Sequence, residues 1–157
     1  MDVCIILGSK SDMPACDKCT SVLNELGIGH QVRVASAHRS PKFLEEVVST
    51  SIEEGCRIFI GIAGLSAALP GVIASMTSLP VIGVPVGGKV PFDSLLSVTQ
   101  MPPGVPVAAV GVDRGDNAGV LAAQMLALGD GDLAVKVDEW RALRTQAVIA
   151  DDESLRG

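Results

Sequence analysis

The sequence predicts a three-layer α/β domain: a doubly wound parallel sheet of about five strands, helices on both faces, and an extra helix at the C-terminus. Three observations predict it. Short, almost wholly apolar runs such as Val3–Leu7 and Arg57–Ala63 recur along the chain, and strands that read this way are buried on both faces, as in parallel sheets. Helical patterns opened by capping residues or prolines lie between the runs. The length, 157 residues, suits one domain that buries its own core without disulfides or a structural metal.

Taken in order, Val3–Leu7 is the first strand and ends at Gly8. Asp12 is placed to cap a helix running to about Leu26, with Pro14 in its first turn, and Gly27 ends it. Val32–Ala35 continues a second strand. Ser40 then precedes Pro41 as an N-cap and a first-turn proline, opening a helix to about Glu54. Arg57–Ala63 is the third strand. Ala67–Met76 is a short helix interrupted by Leu69-Pro70-Gly71. Val81–Val84 and Val107–Val112 are two more strands, joined through a helix near Asp93–Gln100. Asp116–Leu128 is helical, and Asp132–Ala147 forms a more polar terminal helix. Five such strands suit the flavodoxin-like order 2-1-3-4-5. Residues 1–150 form one domain and 151–157 a flexible tail.

Composition narrows the partners. Net charge is −6, aromatics are 3%, and no basic stripe is present, which argues against nucleic acid. Apolar stretches are broken by Gly and Pro short of a membrane span. The N-terminus lacks a basic leader region and enters a strand at once, so a cytoplasmic protein is expected. Charged residues are 19%, below the roughly 25% of soluble domains, so other copies of the chain are expected to cover part of the surface. Cys16 and Cys19 have redox or metal spacing, but no second pair or nearby His completes a zinc set. They read as small helix residues.

Ligands of such sheets bind outside the carboxyl ends of the strands, near the switch point. That selects three loops. Gly8–Asp12 offers a close backbone approach at Gly8, oxyanion donors in the Ser9 and Ser11 hydroxyls, and Asp12 as an acceptor for sugar hydroxyls. Its spacing is not that of a P-loop, and an ordinary strand-to-helix turn remains open for it. Ser36–Ser40 holds His38, one of two histidines, beside Arg39. Imidazole titrates near neutral pH and suits proton transfer; a guanidinium suits bidentate phosphate binding. Gly64–Gly71 carries little acid/base capacity; its small residues would let backbone N–H groups approach a ligand, with Gly64, Ser66 and Leu69 as candidate substrate contacts, and close helix–sheet packing remains open for it. His30, at the opposite edge, reads as surface or interface. Gln100–Pro106 reads as a stiff brace or subunit contact, and Arg114 as a lesser phosphate candidate.

An ordered set of motifs then resembles the PurE family of de novo purine biosynthesis: GSKSD at 8–12, SAHRS at 36–40, LPG at 69–71, LPVIGVPV at 79–86, DSLLS at 93–97, QMPPGVPVAAV at 100–110 and NAGVLAAQ at 117–124. The resemblance implies a mutase that converts N5-carboxyaminoimidazole ribonucleotide to 4-carboxy-5-aminoimidazole ribonucleotide, without metal or organic cofactor, as a homo-octamer. It implies Ser9, Ser11 and Arg39 on the phosphate, Asp12 on the ribose hydroxyls, Ser36 lining the site, and His38 as the proton carrier. Mutases of the family usually carry a second His before LPG, where this chain has Ala68. The related carboxylase class, a lyase using free carbon dioxide, usually has Lys after the catalytic His, where this chain has Arg39. A non-catalytic nucleotide-binding module on the same fold is the competing reading from another class.

Overall fold

In the computed structural model, which describes residues 1–156, the elements follow the order β1 (Val3–Leu7), a 3-10 turn (Lys10–Asp12), α1 (Met13–Glu25), β2 (His30–Val34), α2 (Pro41–Glu53), β3 (Ile58–Ala63), α3 (Leu69–Met76), β4 (Val81–Pro85), α4 (Pro91–Thr99), β5 (Ala108–Ala109), α5 (Gly115–Ala127) and α6 (Gly131–Arg156). Among the described residues the five strands form one parallel sheet in the order β2-β1-β3-β4-β5. The expected doubly wound, flavodoxin-like α/β architecture is the one found.

Alternation along the strands sends side chains to two cores. Val3, Ile5, Leu7, Ile60, Ile62 and Ile82 meet α1, α5 and α6 on one face. Cys4, Ile6, Phe59 and Val81 meet α2, α3 and α4 on the other. The tightest helix contact joins α1 and α5. There the glycines of the Gly115-x-x-x-Gly119 repeat let two backbones touch: a Cβ on Gly115 would overlap the Ala15 carbonyl oxygen, and one on Gly119 would lie 3.0 Å from that of Cys19. Cys16 and Cys19 are buried in this seam as small side chains, and all four cysteines are free. Burial pushes the Cys16 thiol to about 11 and the Cys19 thiol to about 12.

α6 is tied to α1 at one point. The Trp140 indole donates to the Glu25 carboxylate at 2.7 Å, Arg144 donates to the same oxygen at 3.0 Å, and the Arg144 guanidinium stacks on the Trp140 ring. Those two donors hold the Glu25 carboxyl below its ordinary range. Among the described residues no helix is long and apolar enough to cross a membrane.

Several boundaries differ from expectation. β2 starts at His30 as expected, paired with Val3, but ends at Val34 rather than Ala35, and the His30 Nδ1 lies 3.0 Å from the Ile28 carbonyl oxygen. α3 starts at Leu69 because Pro70 suits the first turn and disfavours a helix running through from Ala67. β5 has only two residues: beyond Ala109 the chain turns at Gly111, where Arg114 N–H closes on the Gly111 carbonyl. α6 continues through Arg156, so residues 151–156 are helical rather than a loose tail; no Gly or Pro interrupts them, and Asp152 pairs with Arg156 one turn on. Gly157 lies outside the described residues. The Gln100–Pro106 connection braces α3, its Met101 thioether resting on Gly71.

Candidate active site

The strand order sets the ends of β2, β1 and β3 side by side, and the backbone keeps the exits in register. Ala35 N–H donates to the Leu7 carbonyl at 2.9 Å and Gly8 N–H to the Ile62 carbonyl at 3.0 Å. The loops that follow enclose a pocket of about 450 Å³ lined by Gly8, Ser9, Ser11, Asp12, His38, Arg39, Ala63, Gly64 and Leu65.

The first loop is built around a capping box. Ser9, in extended conformation, is the N-cap of the 3-10 turn. The Asp12 carboxylate accepts from Ser9 N–H at 2.9 Å, and the Ser9 hydroxyl accepts from Ser11 N–H at 3.4 Å. Asp12 therefore caps backward into this turn rather than forward into α1, for which it supplies no side-chain cap. The Ser11 hydroxyl donates to that of Ser9 at 3.1 Å, so both hydroxyls stand together at the pocket. Asp12 is buried. Burial pushes its carboxyl above the ordinary range, against the Ser9 N–H bond and the Arg39 charge, which pull it down.

The second loop is held by serines. Ser40 does not cap α2 with its side chain; its hydroxyl accepts from Ser36 N–H at 3.0 Å and donates to the Ser36 carbonyl at 3.2 Å. That local closure outcompetes the cap. The Ser36 hydroxyl accepts from Arg39 N–H at 3.2 Å and from Arg39 Nε at 3.3 Å. Arg39 Nη2 donates to the Gly8 carbonyl at 2.8 Å, which ties this loop to the first. Nη1 makes no hydrogen bond among the described residues and is available to an anion. His38 is exposed at the pocket, on the turn before Arg39.

The third loop is a tight turn. Ala67 N–H donates to the Leu65 carbonyl and Ala68 N–H to the Ser66 carbonyl. Leu65 has φ of 56°, the left-handed region, and Gly64 sits against β4, where a Cβ would lie 3.4 Å from the Val86 carbonyl oxygen.

Of the residues singled out by sequence, His38, Arg39, Ser9, Ser11, Asp12 and Gly64 come together at the pocket. Three do not line it. Ser36 stands behind Arg39 and orients it. Ser66 is exposed on the turn. Leu69 is buried beneath Gly8, whose added Cβ would lie 3.8 Å from the Leu69 Cδ2; its place at the start of α3 points the side chain into the core. Arg114 pairs with Asp116 at 2.7 Å, away from the pocket. Leu65 lines the pocket without a sequence signal, because an exposed leucine in a loop carries none and its left-handed backbone is a conformation usual for Gly or Asn.

Fold and pocket together define a flavodoxin-like α/β protein whose pocket lies at the carboxyl ends of its strands, with the His38 imidazole and the Arg39 guanidinium at its edge. The chain belongs to the AIR carboxylase family, whose model matches residues 2–147. It is 50% identical over 155 residues to the N5-carboxyaminoimidazole ribonucleotide mutase of Methanocaldococcus jannaschii, covering 98% of this chain and 97% of that one. It is 45% identical over 155 residues to the mutase of the same description from Bacillus subtilis, covering 96% of each. The crystal structure of Treponema denticola PurE superposes with a TM-score of 0.89 at 30% identity, over 99% of this chain and 98% of that chain.

Proposed function

We propose that this chain is an N5-carboxyaminoimidazole ribonucleotide mutase, an isomerase of purine biosynthesis that yields 4-carboxy-5-aminoimidazole ribonucleotide. One observation carries it: strand-exit loops set Arg39, Ser9 and Ser11 beside His38 in one pocket, in a chain half identical to such a mutase along its whole length. Arg39 and the two serine hydroxyls take the phosphate, and Asp12 accepts from the ribose hydroxyls. Gly64 supplies backbone close to the ligand, and Ser36 holds Arg39 in place.

The chemistry asks little of the side chains. The bond between the exocyclic nitrogen and its carboxylate breaks, its electron pair stays on nitrogen, and carbon dioxide is released within the pocket. Ring carbon 4 attacks it, and His38 takes the proton from that carbon and returns one to the amine. Holding two fragments together does most of the work, and one positioned imidazole completes the proton transfer.

The test is a substrate comparison. The purified protein is given the N5-carboxylated ribonucleotide, or the uncarboxylated one with bicarbonate, over times too short for chemical exchange. Conversion of the first is expected, with kcat lower by about 10²–10⁴ in His38→Asn. Preference for the second would make the protein a carboxylase, and full activity of His38→Asn would remove His38 from the mechanism.

We further infer a cytoplasmic homo-octamer. Its support is the low share of charged residues, the exposed Val32 and Val34 on the edge strand β2, and exposed Leu143, Val148 and Leu155 along α6. Light scattering should give eight times the 16.1 kDa of one chain.

A further inference from the structure

Leu65 combines two properties that the fold alone does not explain. Its backbone is left-handed, with φ of 56°, where a side chain with a Cβ is strained and glycine is not. The residue is 84% exposed, so in the free protein it recovers little of that strain by burial. Strain of this kind persists where the surroundings fix it and function uses it. The surroundings do fix it. The turn is closed by the Leu65 carbonyl accepting from Ala67 N–H, and Gly64 is pressed against the Val86 carbonyl. That carbonyl is in turn held by the buried Ser94 hydroxyl at 2.8 Å. The residue so presented lines the pocket, with loops whose residues there are mostly polar: Ser9, Ser11, Asp12, His38 and Arg39.

We propose that Leu65 is the apolar cover of the reacting end of the substrate: its isobutyl group closes over the imidazole ring and the transient carbon dioxide, and keeps water and escape routes away. The inference rests on the mutase reading and adds a residue to it. Carbon dioxide is apolar and weakly held, so its capture by carbon 4 depends on a dry wall rather than on a hydrogen-bond donor. Each turnover then has two exits after the nitrogen–carboxylate bond breaks. Attack by carbon 4 gives the isomer, while loss of carbon dioxide to solvent leaves the free aminoimidazole ribonucleotide, its amine protonated by solvent. Leu65 sets the ratio.

Three variants separate the backbone from the side chain. Leu65→Gly relieves the left-handed strain and removes the cover. Leu65→Asn accepts the same backbone with a polar side chain of similar size, and Leu65→Met keeps an apolar one. Each is given the N5-carboxylated ribonucleotide, and isomer and free aminoimidazole ribonucleotide are counted after subtracting the loss without protein. Leu65→Gly and Leu65→Asn should release roughly tenfold more free ribonucleotide per isomer formed, with a smaller change in KM, while Leu65→Met stays near the parent. Leu65→Gly should unfold at or above the parent's temperature, since its strain is gone. An unchanged product ratio in Leu65→Gly, a leak in Leu65→Met equal to that of Leu65→Gly, or a lowered unfolding temperature for Leu65→Gly would each overturn the assignment. A parent protein that leaves the carboxylated ribonucleotide unconverted would instead overturn the mutase reading, and this inference with it.

Discussion

Replacing Gly115 by alanine puts a methyl group where the Ala15 carbonyl oxygen of α1 lies. Relief requires the two helices to part by roughly an ångström or more, since non-bonded carbon contacts sit near 3.5–4 Å. Overpacking of this sort costs about 1–3 kcal/mol, and more where backbone must move. Alanine returns at most about 1 kcal/mol through helix propensity, and less here because Gly115 opens α5. The net loss is about 1–3 kcal/mol, or roughly 2–12 °C in Tm for a domain of this size. Gly119→Ala is the internal control: its Cβ would meet the Cys19 carbonyl and Val22 Cβ at 3.0 Å, a gap closed by tenths of an ångström, so its net cost is about 1 kcal/mol or less. Thermal and urea unfolding followed by far-UV circular dichroism measure both. Function should follow, because Ala15 lies three residues after Asp12 and a displaced α1 carries the Ser9–Asp12 loop with it. Gly115→Ala should therefore raise KM more than Gly119→Ala does. A Gly115→Ala protein as stable as its parent would refute the claim that this glycine sets the helix spacing.

The remaining predictions concern the pocket and the thiols. Arg39→Ala removes a charge-assisted phosphate contact of about 3 kcal/mol and should lower kcat/KM roughly a hundredfold, mainly through KM; steady-state kinetics with an unchanged KM would withdraw the phosphate role. Asp12→Asn keeps an acceptor for Ser9 N–H without the buried charge. The Asp12 carboxyl is raised in the fold, so its contribution to stability is full below the unfolded value and is lost as pH rises through the folded one. The Asn variant should thus match or exceed the parent in urea at pH 7, with the gap closing below about pH 4; a variant less stable at pH 7 than at pH 4, relative to the parent, would contradict the burial argument. Cys16 and Cys19, raised by burial to about 11 and about 12, should stay unmodified by a disulfide reagent at pH 8 until urea unfolds the chain; rapid labelling of the native protein would show the α1–α5 seam to be open.

Much of the fold was legible because its signals are local. Apolar runs at Val3–Leu7 and Ile58–Ala63, and prolines at the helix starts, depend only on near neighbours in the chain and on burial. The strand order followed from the number of such strands and the general rule for doubly wound sheets. Boundaries set by hydrogen bonds between elements were not legible. β5 shrinks to two residues because the turn at Gly111 interrupts its ladder with β4, to which the chain bonds again only where Asp113 N–H donates to the Pro85 carbonyl, and α6 reaches Arg156 because nothing in its polar last turns breaks it.

The candidate site divides along the same line. His38, Arg39, Ser9, Ser11 and Asp12 could be found from residue type and position after a strand, since the carboxyl ends of parallel strands gather their loops at one edge. Which way each side chain faces was decided by competition among local bonds of similar strength, and only the packed structure resolves it. Asp12 closes on Ser9 instead of capping α1, Ser40 closes on Ser36 instead of capping α2, and Ser36 props Arg39 from behind. Leu69 went to the core and Leu65 to the pocket, although both are leucines of one short segment. The sequence by itself determined the sheet and the edge at which the His38 and Arg39 loop meets the Gly8–Asp12 loop. The tertiary structure decided the left-handed turn at residue 65 and the contact of Gly115 with α1, because both depend on atoms far away along the chain.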